Sequence, residues 1–242
     1  MLKFVGCGAA LYPKLYNSNA YFEIGEDLFL LDCGETAFRQ HFMAGHFDGK
    51  KHVTVIITHM HTDHIGSLGT LIVYCFLKLG IRTIVVYPEP EKIKTVFDLT
   101  GVEPEHYALY PDMAASGEQR VTAEFIKVRH HDAMVNAFGI LLHIHDHPVY
   151  YSGDAGELPE KIVTMLLDGR LEALYQDTSM HDHGGVHCTF ETLRQTIPPA
   201  CRDRVWCMHY DGEYFDQYRQ AGFRTIEKLV EPPIDDLLER KA

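Results

Sequence analysis

The chain has 242 residues, 46% hydrophobic and 23% charged, a composition that excludes a disordered or fibrous protein and suffices for a core without disulfides or a structural metal. Lys plus Arg number 22 against 34 Asp plus Glu, and the resulting net charge of −12 argues against a tightly held nucleic acid. Six cysteines at irregular spacings, with no Cys-x-x-Cys, fit a reducing cytoplasm. Residues Met1 to Gly6 lack the basic and apolar regions of an export signal, and the longest apolar run, Leu71 to Leu79, is broken by Lys78 and too short for a bilayer. One soluble cytoplasmic domain over residues 1–242, with no membrane partner, is the expectation.

In chain order, the pattern predicts short strands over 2–5, 20–24 and 27–33, then a helix from Glu35 to about Phe47. The β-branched run Val53 to Ile57 reads as a buried strand. Residues 67–79 read as a helix that is apolar nearly all round, closed by Gly80 and therefore buried on both sides. A strand over 81–87, a helix over 90–99, a strand over 121–129 and a hairpin over 137–152 turning near Asp146-His147-Pro148 follow. Helices over 158–167 and 189–196 alternate with strands over 171–176 and 203–208, and a short polar helix follows Pro233. Two sheets with helices outside are the architecture this order suggests.

Histidine is abundant, with 16 in the chain. The densest cluster is His59-Met60-His61-Thr62-Asp63-His64, where the strand ending at Ile57 runs into a loop. Alternate residues at a strand end point the same way, so His59 and His61 can share one ion while Asp63 and His64 face a second. Imidazole and carboxylate without a thiolate pair suit an open catalytic site rather than a closed structural zinc. Later strand ends supply His130-His131-Asp132, Ser152-Gly153-Asp154 and His209.

With Leu31-Asp32-Cys33-Gly34-Glu35, these motifs stand in the order of the metallo-β-lactamase-fold hydrolase superfamily, which the chain resembles over nearly its whole length, most of all in the tRNase Z-like phosphodiesterase branch. The resemblance implies an α/β fold, a four-layer αββα sandwich of two mixed sheets with helices on the outer faces. It implies two divalent metal ions, zinc first and manganese or iron(II) as alternatives. His59, His61 and His131 would hold one ion, Asp63, His64 and His209 the other, and Asp154 would bridge them, with Asp32 a buried structural residue nearby. His130 and His131 point in opposite directions on a strand end, so only one is a ligand. His131 is preferred, because His-Asp-Ala with Gly139 a few residues on looks like the relatives' pattern.

The cluster His143-Ile144-His145-Asp146-His147 fits one face of a hairpin strand and reads as structural. The Gly-bearing loop His181 to Thr189 precedes a helix and resembles the His-bearing loop of tRNase Z-like enzymes. His187 is its best match for a residue touching the scissile phosphate or protonating the leaving group, with a helix-capping loop as the alternative.

A metal-bridging hydroxide, oriented by Asp63, would attack the ester, with protonated His187 assisting the departing alkoxide. Di-iron members carry Glu where this chain has His61, exported β-lactamases carry a signal peptide and often a Cys ligand, and glyoxalase II-like thioesterases carry a C-terminal helical domain. The stretch between His131 and Asp154 leaves room only for a hairpin, not for a tRNA-gripping arm. A small phosphodiester such as a cyclic nucleotide or dinucleotide is therefore the expected substrate, with no stable nucleic-acid complex. A lactonase or thioesterase of the same fold, or a non-catalytic metal-binding member, is the alternative. The apolar helix 67–79 further suggests a homodimer.

Overall fold

The computed structural model describes residues 1–242 except 119, 131–135, 146 and 227–242. The polar helix expected after Pro233 and the tip of the hairpin at Asp146 lie outside the described residues.

A first sheet has the order β1 (Lys3–Gly6), β2 (Asn19–Ile24), β3 (Asp27–Leu31), β4 (His52–Ile56), β5 (Thr83–Val86) and β6 (Tyr107–Tyr110). β1 to β3 pair antiparallel and β3 to β6 parallel. The second sheet begins with β7 (Val121–Val128), β8 (Ala137–Ile144) and β9 (His147–Tyr151), paired antiparallel. It continues in parallel through β10 (Ala173–Asp177), β11 (Val205–Met208) and β12 (Arg224–Thr225). Two sheets are what the sequence pattern suggests, and both are mixed, as the resemblance implies.

Helices α1 (Ala37–Met43), α2 (Thr62–Ile65), α3 (Leu68–Tyr74), α4 (Pro90–Thr100) and α5 (Met113–Ser116) belong to the first half of the chain. Helices α6 (Glu160–Leu167), α7 (Phe190–Thr196) and α8 (Phe215–Gln220) belong to the second. Strand period two divides the core. Leu28, Leu30, Val53 and Val55 pack with Ala37, Leu71 and Phe97 from the helices over the first sheet. Phe29, Leu31 and Ile56 turn the other way, into the cluster holding Ile140, Leu142 and Tyr151 of the second sheet. Ile162, Leu166, Leu193 and Tyr218 join that cluster from α6, α7 and α8. Strands covered on both faces explain the unbroken apolar run that leads to the histidine loop.

The 67–79 segment departs from expectation. It is α3 followed by a π-helical turn, Cys75–Leu79, ending at left-handed Gly80. Leu68, Leu71, Ile72 and Cys75 are buried, but Leu77 is exposed, so the segment is covered on one side and not on both. The wider winding of the π turn shifts the outward residues away from the stripe that straight helical spacing predicts.

Candidate metal centre

The metal-donor residues and Asp32 and Asp177 behind them stand at or just beyond the carboxyl ends of strands. Asp32 follows β3, the His59 to His64 loop follows β4, His130 follows β7, Asp154 follows β9, Asp177 closes β10 and His209 follows β11. Backbone shape makes these exits. Asp32 and His209 are two of the four described non-glycine residues with φ in the left-handed region, at 67° and 58°. Such a conformation is costly outside glycine and persists where the surroundings hold it. Gly34 is required by contact, because a Cβ there would lie 1.8 Å from the carbonyl oxygen of Asp63.

Three overlapping groups of donors result: Asp154, Asp177, His187 and His209 make one, and two further sets draw on the loop after β4. His59, His61, His130 and Asp154 form one, and Asp63, His64, Asp154 and His209 form the other, with the donor atoms within each set no more than 4.8 Å apart. In the first, His61 Nδ1 lies 3.0 Å from His59 Nε2 and 3.2 Å from His130 Nε2, and Asp154 Oδ2 is 3.8 Å and 3.6 Å from the same two Nε2 atoms. In the second, Asp63 Oδ2 is 3.1 Å from His64 Nε2 and 3.4 Å from His209 Nε2. Asp154 Oδ1 is 3.2 Å from each of those imidazole nitrogens. Asp154 thus gives one oxygen to each set.

In the third motif, the imidazole that joins the first set among the described residues is that of His130; His131, the expected ligand, lies outside the described residues. On three of the rings the other nitrogen is occupied in a way that aims the donor. His64 donates Nδ1–H to Asp32 at 2.8 Å, His130 donates Nδ1–H to the Val186 carbonyl at 2.9 Å, and His59 Nδ1 meets Thr58 Oγ1 at 3.1 Å. Asp32 is fully buried and also accepts from Thr58 N and Oγ1, the supporting role the resemblance implied.

The donor chemistry fits divalent cations. His64 Nε2 and Asp154 Oδ1 are buried 3.2 Å apart and make no hydrogen bond among the described residues, an arrangement costly unless a cation or proton lies between them. Donor separations of 3.0 to 3.8 Å are near the roughly 3.3 Å expected between tetrahedral ligands with bonds of about 2.0 to 2.1 Å. Titration directions agree. Burial opposes charge on His64, but Asp154, Asp63 and Asp32 outweigh it and hold the imidazole well above its ordinary range. His209 behaves likewise, burial being overcome by Asp154, Asp177 and Asp63. For Asp63, His64 and His209 overcome burial and hold the carboxyl far below the usual range. Protons thus stand in for positive charge that cations would supply, and metal binding would release them.

Asp177 is a site residue that sequence reasoning missed. It is fully buried and accepts from His187 Nδ1–H at 2.7 Å and from Ala155 N at 3.0 Å, while its backbone N–H donates to Ser152 Oγ at 2.9 Å. Its other oxygen lies 3.5 Å from His209 Nδ1. A lone Asp closing the strand predicted over 171–176 was the only signal, and it has no metal-ligand spacing. Asp211 was missed as well. Its carboxylate accepts from Ser179 Oγ at 2.7 Å, Met180 N at 3.0 Å and His181 N at 3.1 Å, pinning the start of the His187 loop.

His187 stands beside the metal donors, its ring 5.0 Å from that of His209 and 5.1 Å from that of His130. Burial lowers its proton affinity, but the Asp177 carboxylate more than offsets this and raises it. The capping alternative for this loop is also realised, by a different residue: Thr189 Oγ1 accepts from Thr192 N at the start of α7. The His143 to His147 cluster stays on the β8–β9 hairpin, with Ile144 paired to His147, and no described residue of it joins the donor sets. A cavity of about 430 Å³ opens onto the centre, reaching His61, Asp63, His130, Asp154, His187 and His209.

The family model described as "Anti-Pycsar protein Apyc1" matches residues 1–229. An Anti-Pycsar protein Apyc1 from Paenibacillus xerothermodurans is 28% identical over 231 residues, covering 88% of each chain. Among solved structures, a diphosphatase from the PhnP family superposes with a TM-score of 0.71 at 16% identity, over 96% of each chain. The short form of human tRNase Z superposes with a TM-score of 0.66 at 18% identity, over 96% of this chain and 99% of that one. The fold is that of the metallo-β-lactamase proteins, as the motifs implied.

Proposed function

The chain belongs to the Anti-Pycsar protein Apyc1 family, and on that premise we propose that it is a zinc- or manganese-dependent phosphodiesterase, working in the cytoplasm on a small phosphodiester such as a cyclic nucleotide. By extension from its relatives' name, it would act against Pycsar. The observation carrying this reading is the division of Asp154 between two His/Asp donor sets at the floor of a cavity with a carboxylate-backed histidine on its wall.

His59, His61, His130 and Asp154 would hold one cation, and Asp63, His64, His209 and Asp154 the other. Divalent ions supply Lewis acidity that activates water near neutral pH and neutralises charge developing on phosphoryl oxygens. The residues of the chain do the rest. Asp63 Oδ2, held between His64 and His209, would accept a hydrogen bond from the attacking water and orient it. Asp177 fixes the His187 ring through Nδ1 and favours its protonated form. Protonated His187 then gives its Nε2 proton to the departing alkoxide oxygen, a contribution of about 10² to 10⁴ fold.

A panel of bis-aryl phosphate, cyclic nucleotide, lactone and thioester, assayed with Mn²⁺ or Zn²⁺, tests the reading. The expected result is phosphodiester turnover that disappears in Asp154→Ala. Preference for lactone or thioester would replace the phosphodiesterase reading by the other hydrolase one. The His187 role has its own test: His187→Ala should slow release of an alkoxide by at least tenfold more than release of 4-nitrophenolate, which needs no proton.

A further inference from the structure

Resting on the phosphodiesterase reading, we propose that the loop between β1 and β2, centred on Tyr12, is the wall that holds the flat base of a mononucleotide. Chemistry at a phosphorus centre uses only the side of the 430 Å³ cavity that carries the metal donors. Of the rest of the lining, Ser179, His183, Val186 and Asp211 belong to or brace the His187 loop, while Ala9, Ala10, Leu11 and Tyr12 form a separate wall that has no part in that chemistry. Leu11 is 96% exposed, the most exposed of the large apolar side chains among the described residues, and it stands at the edge of this polar site. An apolar side chain and a phenol ring beside a phosphodiester site are what a nucleobase, with a π-face and an apolar edge, would cover.

The wall is built rigidly and in register with the centre. Ala9 N donates to the carbonyl of Tyr210 at 2.9 Å, and Tyr210 N donates to the carbonyl of Cys7 at 2.8 Å, so the loop is bonded to the residue directly after His209. Tyr12 N closes the turn onto the Ala9 carbonyl at 2.9 Å. The Tyr12 hydroxyl donates to Glu213 Oε1 at 3.1 Å, which holds the far end of the ring. A surface fixed in this way loses little entropy when a ligand stacks on it.

Size and charge limit the ligand. The cavity is near the lower end of the roughly 300 to 1,000 Å³ typical of small-molecule sites, room for one nucleoside rather than two. No Lys or Arg is among its described lining residues, although the Lys14 ammonium lies 5.9 Å from the centre of the Tyr12 ring, so beyond His187 a second phosphate would find few cationic partners. Stacking, which changes binding about 5- to 150-fold per base, then carries most of the affinity for the non-phosphate half.

The test compares kcat/KM of the metal-loaded full chain for a 3′,5′-cyclic mononucleotide and for glycerol 1,2-cyclic phosphate, which has no base. Tyr12→Ala should lower the ratio of the two at least tenfold, mainly through KM for the nucleotide, and Tyr12→Phe, which keeps the ring, should restore most of it. Equilibrium binding of a nucleoside 5′-monophosphate against ribose 5-phosphate repeats the comparison without turnover. An unchanged ratio and an unchanged binding preference in Tyr12→Ala would overturn the wall, as would a shift in oligomeric state with discrimination intact. A wild-type chain that prefers the nucleoside monophosphate but cleaves neither diester would support the wall and overturn the phosphodiesterase reading. Cleavage of both diesters without preference would do the reverse.

Discussion

At the residue scale, the arrangement turns on which imidazole completes the first donor set. His130 Nε2 lies 3.2 Å from His61 Nδ1, and its Nδ1–H is anchored on the Val186 carbonyl. His130→Ala should therefore lower bound metal from two ions toward one per chain, read by elemental analysis after dialysis. A larger loss in His131→Ala than in His130→Ala would contradict this. Asp177→Asn should weaken metal binding by about 10- to 100-fold, the usual cost of losing a partner that orients a ligand, and should also reduce turnover of alkoxide-leaving substrates through His187. Metal titration of the variant followed by assay at saturating metal separates the two effects. The spaced cluster from His59 to His64 was legible because four donors within six residues have few structural explanations. Between His130 and His131 the pattern offers no more than a preference, because adjacent residues differ only in which way the strand end turns them, and chain exit angle is a tertiary property.

At the element scale, the Leu31-Asp32-Cys33-Gly34-Glu35 turn acts as a brace for the metal loop. Cys33 N donates to the His64 carbonyl at 2.7 Å, and Gly34 packs against the backbone of Asp63. Gly34→Ala should destabilise the fold by about 3 kcal/mol, the upper end of ordinary overpacking, and weaken metal binding together with stability. Urea unfolding with and without metal checks this, and an unchanged midpoint would contradict it.

Helix α1 carries a second consequence. His41 is fully buried, its Nδ1 lies 2.9 Å from His46 Nδ1, and its Nε2 has no hydrogen-bond partner. Burial and the neighbouring His46 lower its pKa to about 3. The unfolded chain takes up a proton near the ordinary value of about 6.5, so between those values the unfolded state binds more protons and stability rises with pH. The contribution is complete above pH 6.5 and is lost on acidification toward pH 3, with a slope of up to about 1.4 kcal/mol per pH unit. His41→Phe should flatten that slope in urea unfolding across this range, and a slope equal to wild type would contradict it. Strongly patterned strands such as β3 and β4 were legible from their apolar runs. The short elements β6, α5, α8 and β12 were not, being two to six residues long with little periodicity to read.

At the scale of the whole molecule, the order of motifs revealed more than any single one, because each parallel strand delivers its carboxyl end to the same edge of the sandwich. The homodimer inferred from the 67–79 helix now concerns its uncovered side, where Val73, Leu77 and Val96 line a groove of about 650 Å³. Sedimentation velocity at micromolar concentration should give a particle of twice 27.6 kDa, and a single 27.6 kDa species would contradict the dimer. Among the described residues no helix is long and apolar enough to cross a membrane.

The most direct test of the whole account is anomalous diffraction from crystals of the zinc- or manganese-loaded protein. Two peaks should appear, one among His59, His61 and His130 and one among Asp63, His64 and His209, with Asp154 reaching both. A single peak, or metal bound away from Asp154, would contradict the dinuclear centre on which the proposed chemistry depends.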